Sequence, residues 1–204
     1  IYINILTIRL ARLAEPLEGR MILIPTEAHH KKALEMATNK AFNGKTMLDN
    51  GSGQYAGNLA ELMFKDLLDA QYLEHDYTAA TSFHFDFKIG KATVDLKAKQ
   101  RTVECRANYD THVNLYQKDY PCNYYIFASV LIPKGEKLAT KVQFMGWCRK
   151  DGYWATCEIK RKGQNSDGLI EREDGGKKKY HDLEPMSSFL GNIEKHLYQL
   201  AFGA

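Results

Sequence analysis

Apolar and polar positions alternate strictly from Phe83 to Ile89. Phe83, Phe85, Phe87 and Ile89 are separated by His84, Asp86 and Lys88, and a period of two predicts a strand with one face toward a core. Gly90-Lys91 has turn chemistry, after which Val94 and Leu96 fall on one face and Thr93, Asp95 and Lys97 on the other. Two antiparallel strands would thus present Asp86, Asp95 and Lys97 on what can be one shared face. Packing alone would fill such positions with threonine or valine.

Helical spacing frames this hairpin. "TEAHHKKALEMATNKAF" predicts a helix from Thr26, as N-cap, to about Phe42. The polar, glycine-rich "DNGSGQ" reads as a loop. Tyr55, Leu59, Met63 and Leu67 then recur at steps of four, predicting a second helix pressed on a sheet. Glu61 lies at the border of its apolar arc, about 200° from Leu59 at roughly 100° per residue.

Beyond the hairpin, "HVNLYQKDY" is compatible with a short helix, and "CNYYIFASVLI" predicts a buried central strand ending at Pro133. "KVQFMGWCR" and "YWATCEIKRKG" read as two further strands with "KDG" as the turn between them. Gly163 to Lys179 reads as a solvated loop whose lysines are surface groups. Phe189, Ile193, Leu197 and Leu200 mark an amphipathic terminal helix. No internal repeat is visible.

The 204 residues suit one domain. Met21 is the first methionine, so residues 1–20 read either as an extension foreign to the native chain or as a genuine N-terminal element; residues 21–204 form the domain. Hydrophobic residues at 44% and charged residues at 26% exclude a disordered or fibrous chain. A net charge of +3 leaves the partner open. The four cysteines (Cys105, Cys122, Cys148, Cys157) have no zinc-ligand spacing and read as reduced thiols of a cytosol. No run approaches the roughly 18 apolar residues of a membrane span. The opening segment places its apolar run before its arginines, the reverse of a signal peptide. A cytoplasmic location follows, the host's cytoplasm if the protein is viral.

Glu61 in "GNLAELMF", Asp86 in "FDFKIG" and Asp95 with Lys97 in "VDLKAK" together resemble the motif of the PD-(D/E)XK nucleases, the restriction-endonuclease-like superfamily, and small phage-type single-domain members in particular. The resemblance covers about Gln54 to Pro133. Two departures occur: Phe85 stands where a proline would precede Asp86, and aspartate precedes the x-Lys. The resemblance implies an α/β fold with a central mixed β-sheet flanked by helices, and hydrolysis of DNA phosphodiester bonds.

That chemistry needs charge neutralised on the scissile phosphate and a hydroxide at neutral pH, which a hard divalent cation held by carboxylates supplies. The resemblance implies magnesium (Mg²⁺, with Mn²⁺ able to substitute) held by Asp86, Asp95 and Glu61, with Lys97 stabilising the charge of the transition state. Lys99, Gln100 and Arg101, at the end of the same strand, are candidates for contacting DNA. Endonuclease action is the expectation, with exonuclease action an alternative.

Other readings stay open. The hairpin charges are also compatible with cross-strand ion pairs on a solvated face, each worth about 0.2–1 kcal/mol. A non-catalytic nucleic-acid-binding module on the same fold, and an interaction protein dimerising through the terminal helix, are the competing classes; a homodimer is neither required nor excluded. His29-His30 reads as a helix surface, since adjacent helical residues point about 100° apart. His84, Tyr109, His112 and Tyr116 read first as structural. "DNGSGQYAG" lacks the ending of a phosphate-binding loop, and no nucleophile elbow occurs.

Overall fold

The structure is a computed structural model that describes residues 20–38, 52–78, 84–166, 169–189 and 191–193. The first described elements are β1 (Met21–Leu23), α1 (Glu27–Thr38), α2 (Ser52–Ala70) and β2 (Asp76–Tyr77). The hairpin β3 (Phe87–Ile89) and β4 (Ala92–Arg101) follows, then β5 (Val113–Asn114), a 3₁₀ turn at Leu115–Asp119, and β6 (Tyr124–Leu131). The remainder is β7 (Lys141–Arg149), α3 (Lys150–Thr156), β8 (Glu158–Lys160), β9 (Asn165–Ser166), β10 (Leu169–Ile170), β11 (Gly175–Lys177) and a 3₁₀ turn at Tyr180–Asp182. Residues 186–189 and 191–193 are helical.

The fold is mixed α/β. Six strands form the main sheet in the order β1-β7-β6-β4-β3-β2, in which β4 and β6 run parallel and all other neighbours antiparallel. A parallel pair needs a crossover, and residues 102–123, carrying β5 and the first 3₁₀ turn, make it without a full α-helix.

Each face of this sheet carries its own core. On one, α2 buries Tyr55, Leu59, Met63, Phe64 and Leu67 against Phe87, Ile89, Val94 and Leu96, as the step of four predicts. Phe64 is the hub, edge-on to Phe87 with ring centroids 5.0 Å apart and within 6.2 Å of Phe189 of the terminal helix. On the other face, Tyr125 and Phe127 of β6 meet Tyr153 of α3 at 5.5 Å each. Tyr153 also donates to Gly176 O at 2.6 Å and lies 3.0 Å from the Thr111 hydroxyl, so α3, β11 and the crossover are tied through one phenol.

Thr26 caps α1 as expected: its hydroxyl accepts from the His29 amide at 3.4 Å, while its own amide donates to His29 Nδ1 at 3.0 Å. This reciprocal pairing is a capping box with histidine in the usual glutamate position. The expected extension to Phe42 lies outside the described residues after Thr38, as do Phe83, Leu197, Leu200 and residues 1–19.

Several expectations are corrected. Ser52–Gln54 begin α2 rather than a loop. "KDG" is no turn: Lys150–Thr156 is helical, because a helix puts Tyr153, Trp154 and Cys157 on one face against the second core. "HVNLYQKDY" supplies a strand and a 3₁₀ turn in place of an α-helix. Gly163–Lys179 is not simply a loop, since β11 is the middle strand of a three-stranded sheet, β5-β11-β8. Lys177 there is a half-buried partner of the buried Glu171 rather than a free surface group. Composition hides this strand, because Gly175-Gly176 lacks the branched side chains that signal one.

Close packing sets two glycines, against main chain at Gly146 and against side chains at Gly176. Gly146 has φ +148°, and a Cβ there would lie 2.7 Å from Glu184 O. A Cβ on Gly176 would meet Cys157 Sγ at 2.7 Å and Trp154 Cζ3 at 2.9 Å. No helix among the described residues is long and apolar enough to cross a membrane. Gly176→Ala is expected to overpack the second core by about 2 kcal/mol and to lower the melting temperature by about 5 °C in a thermal melt. An unchanged Tm would mean that β11 does not pack this closely on α3.

Candidate active site

Asp86 is positioned by the backbone of the hairpin. Its amide donates to Val94 O at 2.9 Å, which continues the β3–β4 ladder one residue beyond β3. Where the preceding chain turns away, the Asp86 side chain takes over as partner: Leu96 N–H donates to Asp86 Oδ2 at 2.8 Å. Phe85 accordingly packs in the second core and Phe87 in the first. The strict alternation expected across Phe85 therefore breaks at Asp86, and its carboxylate lies between the two faces.

Asp95 and Lys97 come from the face of β4 opposite Val94 and Leu96, as their spacing predicts. Lys97 Nζ lies 2.7 Å from Asp95 Oδ2, with side chains only 16% and 8% exposed. Their strand neighbours are Tyr125 and Phe127 of the parallel β6, and the ammonium sits 5.9 Å from the Tyr125 ring centre. Glu61 reaches in from α2, and its Oε2 accepts from the Tyr77 hydroxyl at 2.8 Å. Tyr77 is held in turn by stacking on Phe87 at 5.0 Å.

Electrostatics links these groups through Asp86. Burial pushes the Asp86 carboxyl well above its usual range; Glu61 and then Asp95 push it further, while Lys97 and the Leu96 amide oppose them. For Lys97, burial favours the neutral amine, but Asp95 and Asp86 outweigh it and hold the ammonium above its usual value. Burial, followed by Glu61, raises the Tyr77 phenol, so it stays a donor to Glu61.

The structure thus brings Glu61, Asp86, Asp95 and Lys97 to one region of the sheet. Among the described residues, no group of three or more His, Cys, Asp or Glu side chains is gathered so as to hold a metal ion as it stands. The carboxylates are engaged elsewhere, Glu61 with Tyr77, Asp86 with the Leu96 amide and Asp95 with Lys97. In chemistry the donor set is all carboxylate oxygen, the type a hard divalent cation takes. A cation would also compensate the mutual repulsion that Asp86 now experiences. Glu61, Asp86 and Asp95 are the residues that would hold it, with Asp95 turning from Lys97.

Two groups that the sequence reading passed over adjoin this set. The Cys122 thiol, buried and pushed up to about 11 by desolvation and by Asp95, feels both Lys150 and Lys97. Tyr77 is the other. Neither carries a motif; both become neighbours only through strand pairing.

The candidate DNA contacts separate. Lys99 and Arg101 share the strand phase of Asp95 and Lys97, whereas Gln100 is exposed at the opposite phase, that of Ala98, and is not brought to the site. Arg101 is engaged structurally, its guanidinium 4.7 Å from the Tyr109 ring and donating to Asp110 O at 3.3 Å. Lys99 is exposed by area. Its ammonium is nonetheless lowered by desolvation and then by Arg101 and Lys177. His112, near Lys99 and Lys177, is lowered first by burial and bonds Asn114 Oδ1 at 2.8 Å.

His29 and His30 do not act as a pair. His29 Nε2 lies 2.7 Å from Asp66 Oδ2 on α2, and His30 Nδ1 lies 2.8 Å from the Tyr55 hydroxyl. Both fasten α1 to α2. No protein-family model, curated protein or solved structure matches the chain.

Asp86→Asn is expected to stabilise the fold, because it keeps an oxygen for the Leu96 amide and removes a buried charge that Glu61 and Asp95 oppose. The sign follows from the direction of the shift. A carboxyl raised in the folded state binds its proton more tightly there, so parent stability falls as pH rises from the ordinary carboxylate range toward the folded-state value. Melts across pH should therefore show a gain in Tm for the variant that is absent in acid and reaches a few degrees near neutrality. A destabilised variant at neutral pH would contradict this.

Proposed function

We propose that this chain is a divalent-metal-dependent nuclease that hydrolyses phosphodiester bonds in DNA, acting as an endonuclease on a restriction-endonuclease-like core. The observation that carries the reading is the placing of the buried Asp86, tied to the Leu96 amide, beside the Asp95–Lys97 pair of the same strand and within the influence of Glu61. One helix and one strand hairpin deliver them. Each carboxylate has a local partner, yet their mutual opposition around Asp86 is an arrangement that phosphodiester hydrolysis can use. The central mixed sheet with helices, which the family resemblance implies, is consistent with it.

When bound, a divalent cation would supply positive charge to the phosphate and lower the pKa of a water at neutral pH. The chain's own contributions are distinct. Lys97, kept cationic by Asp95 and Asp86, is the donor suited to the extra negative charge of the transition state. Asp86 is fixed by the Leu96 amide and Glu61 by Tyr77, so neither must be ordered when substrate arrives. Lys99, exposed on the same strand face, offers a cation to the DNA backbone. The four free cysteines suit a reducing, cytoplasmic compartment.

A second reading also has support: Asp95 and Lys97 are closed on each other, and among the described residues no three ligating side chains are gathered. On that reading the chain is a non-catalytic nucleic-acid-binding module, whose binding weakens with salt and ignores Mg²⁺.

Supercoiled plasmid, linear duplex and circular single-stranded DNA, incubated with Mg²⁺, Mn²⁺ or EDTA, distinguish the two. Metal-dependent cutting is expected in the parent, with circles cut as an endonuclease requires. Asp95→Ala and Lys97→Ala should each lose at least about a hundredfold in rate. A folded parent that cuts nothing and shows no thermal shift with either metal would favour the binding module.

A further inference from the structure

The crossover between β4 and β6 carries rings that neither core uses. Tyr116, in the 3₁₀ turn Leu115–Asp119, is 57% exposed. Its ring lies 6.0 Å from that of Tyr120 at 65°, and Tyr120 lies 4.8 Å from the exposed His84, also at 65°. The three rings therefore form a continuous edge-to-face row.

Main-chain and side-chain hydrogen bonds place the two tyrosines of the row. Tyr120 N–H donates to Gln117 O at 3.2 Å, and Tyr120 O accepts from Cys122 N–H at 2.9 Å and from the Lys150 ammonium of α3. Asn114 Nδ2 donates to the Tyr116 hydroxyl at 3.3 Å, and Asn114 in turn bonds His112.

One end of the row and its middle lead to the candidate active site. His84 precedes Asp86 by two residues, within about 7.6 Å along the chain. Tyr120 precedes Cys122 by two, and the Cys122 thiol feels Asp95, Lys150 and Lys97. At the other end, His112 feels Lys99 and Lys177. The side chains between the rings, Gln117, Lys118 and Asp119, are polar.

We infer that His84, Tyr116 and Tyr120 form a stacking platform for unpaired bases, which makes single-stranded DNA the ligand engaged beside the acidic site. Two exposed rings, Tyr116 and His84, joined through the half-buried Tyr120, with the exposed Lys118 in the same 3₁₀ turn and Lys99 near His112, match a strand whose bases are free to stack and whose phosphates need neutralising. A duplex keeps its base faces covered and gains nothing from the rings. Polar neighbours argue against an aliphatic protein partner, which would bury these side chains unpaired. The inference deepens the nuclease reading, on which it rests for DNA as the ligand.

Fluorescence anisotropy in EDTA tests it without any cleavage. The probes are a labelled 20-nucleotide oligo-dT and a mixed-sequence duplex of equal length, titrated with the full chain. The parent should bind the single strand more tightly. Tyr116→Ala should weaken that binding about tenfold, Tyr116→Phe and Tyr116→Trp should retain it within about threefold, and duplex binding should not change. Equal single-strand affinity for parent and Tyr116→Ala, or equal losses on both probes, would overturn the platform. Because binding is read without metal, its outcome is independent of whether Mg²⁺-dependent cutting is found: a platform without cleavage defeats only the nuclease reading, and cleavage without single-strand preference defeats only the platform.

Discussion

The hydrogen bond from the Leu96 amide to the buried Asp86 carboxylate is the point on which the site and the sheet both depend. β4 has β6 on one side, but on the other β3 extends no further than its approach at Asp86, so the Leu96 N–H would be left without a partner in the interior. An orphaned buried amide costs about 1–3 kcal/mol. The side chain that satisfies it is also the one most strongly opposed by Glu61 and Asp95. One carboxylate thus ends the ladder and anchors the acidic cluster.

Everything around that bond serves to hold β4 still. Val94 and Leu96 press into the core beneath α2, and Asp95 and Lys97 face the second core beside Tyr125. α2 is itself fixed by Phe64, whose ring meets β3, β7 and the terminal helix, and by α1 through the His29–Asp66 and His30–Tyr55 contacts. Glu61 therefore approaches from a helix with little freedom to move. The cost of this arrangement is electrostatic: the fold concentrates carboxylates where water is scarce and compensates them with one lysine. Electrostatic opposition of this kind works against stability and is the feature on which the proposed chemistry rests.

Legibility in the sequence varied with how local the signal was. The α2 core residues, the Gly90-Lys91 turn, the opposing faces of Val94–Leu96 and Asp95–Lys97, and the buried β6 strand were all readable, because periodicity and turn chemistry act over a few residues. "KDGYWAT" misled because Gly and Asp are turn residues by composition, while the helix is selected by where Tyr153 must go. "GGKKK" misled in the opposite direction. It looks solvated, yet Gly175 and Gly176 form the centre of a small sheet because nothing larger fits there. Gln100 and Lys99 are adjacent in sequence and part company in space, since a strand sends neighbours to opposite faces.

What the sequence by itself determined was the set of acids and the lysine, the elements that carry them, and the phase that pairs Asp95 with Lys97. These follow from local periodicity, which needs no knowledge of distant contacts. Only the tertiary structure decided that Tyr77 holds Glu61, that Cys122 and Tyr125 wall the Asp95–Lys97 pair, and that His84 meets Tyr120 across the crossover. Those pairs are set by strand order and by which faces the two cores consume, and such long-range closure leaves no trace in the spacing of neighbouring residues.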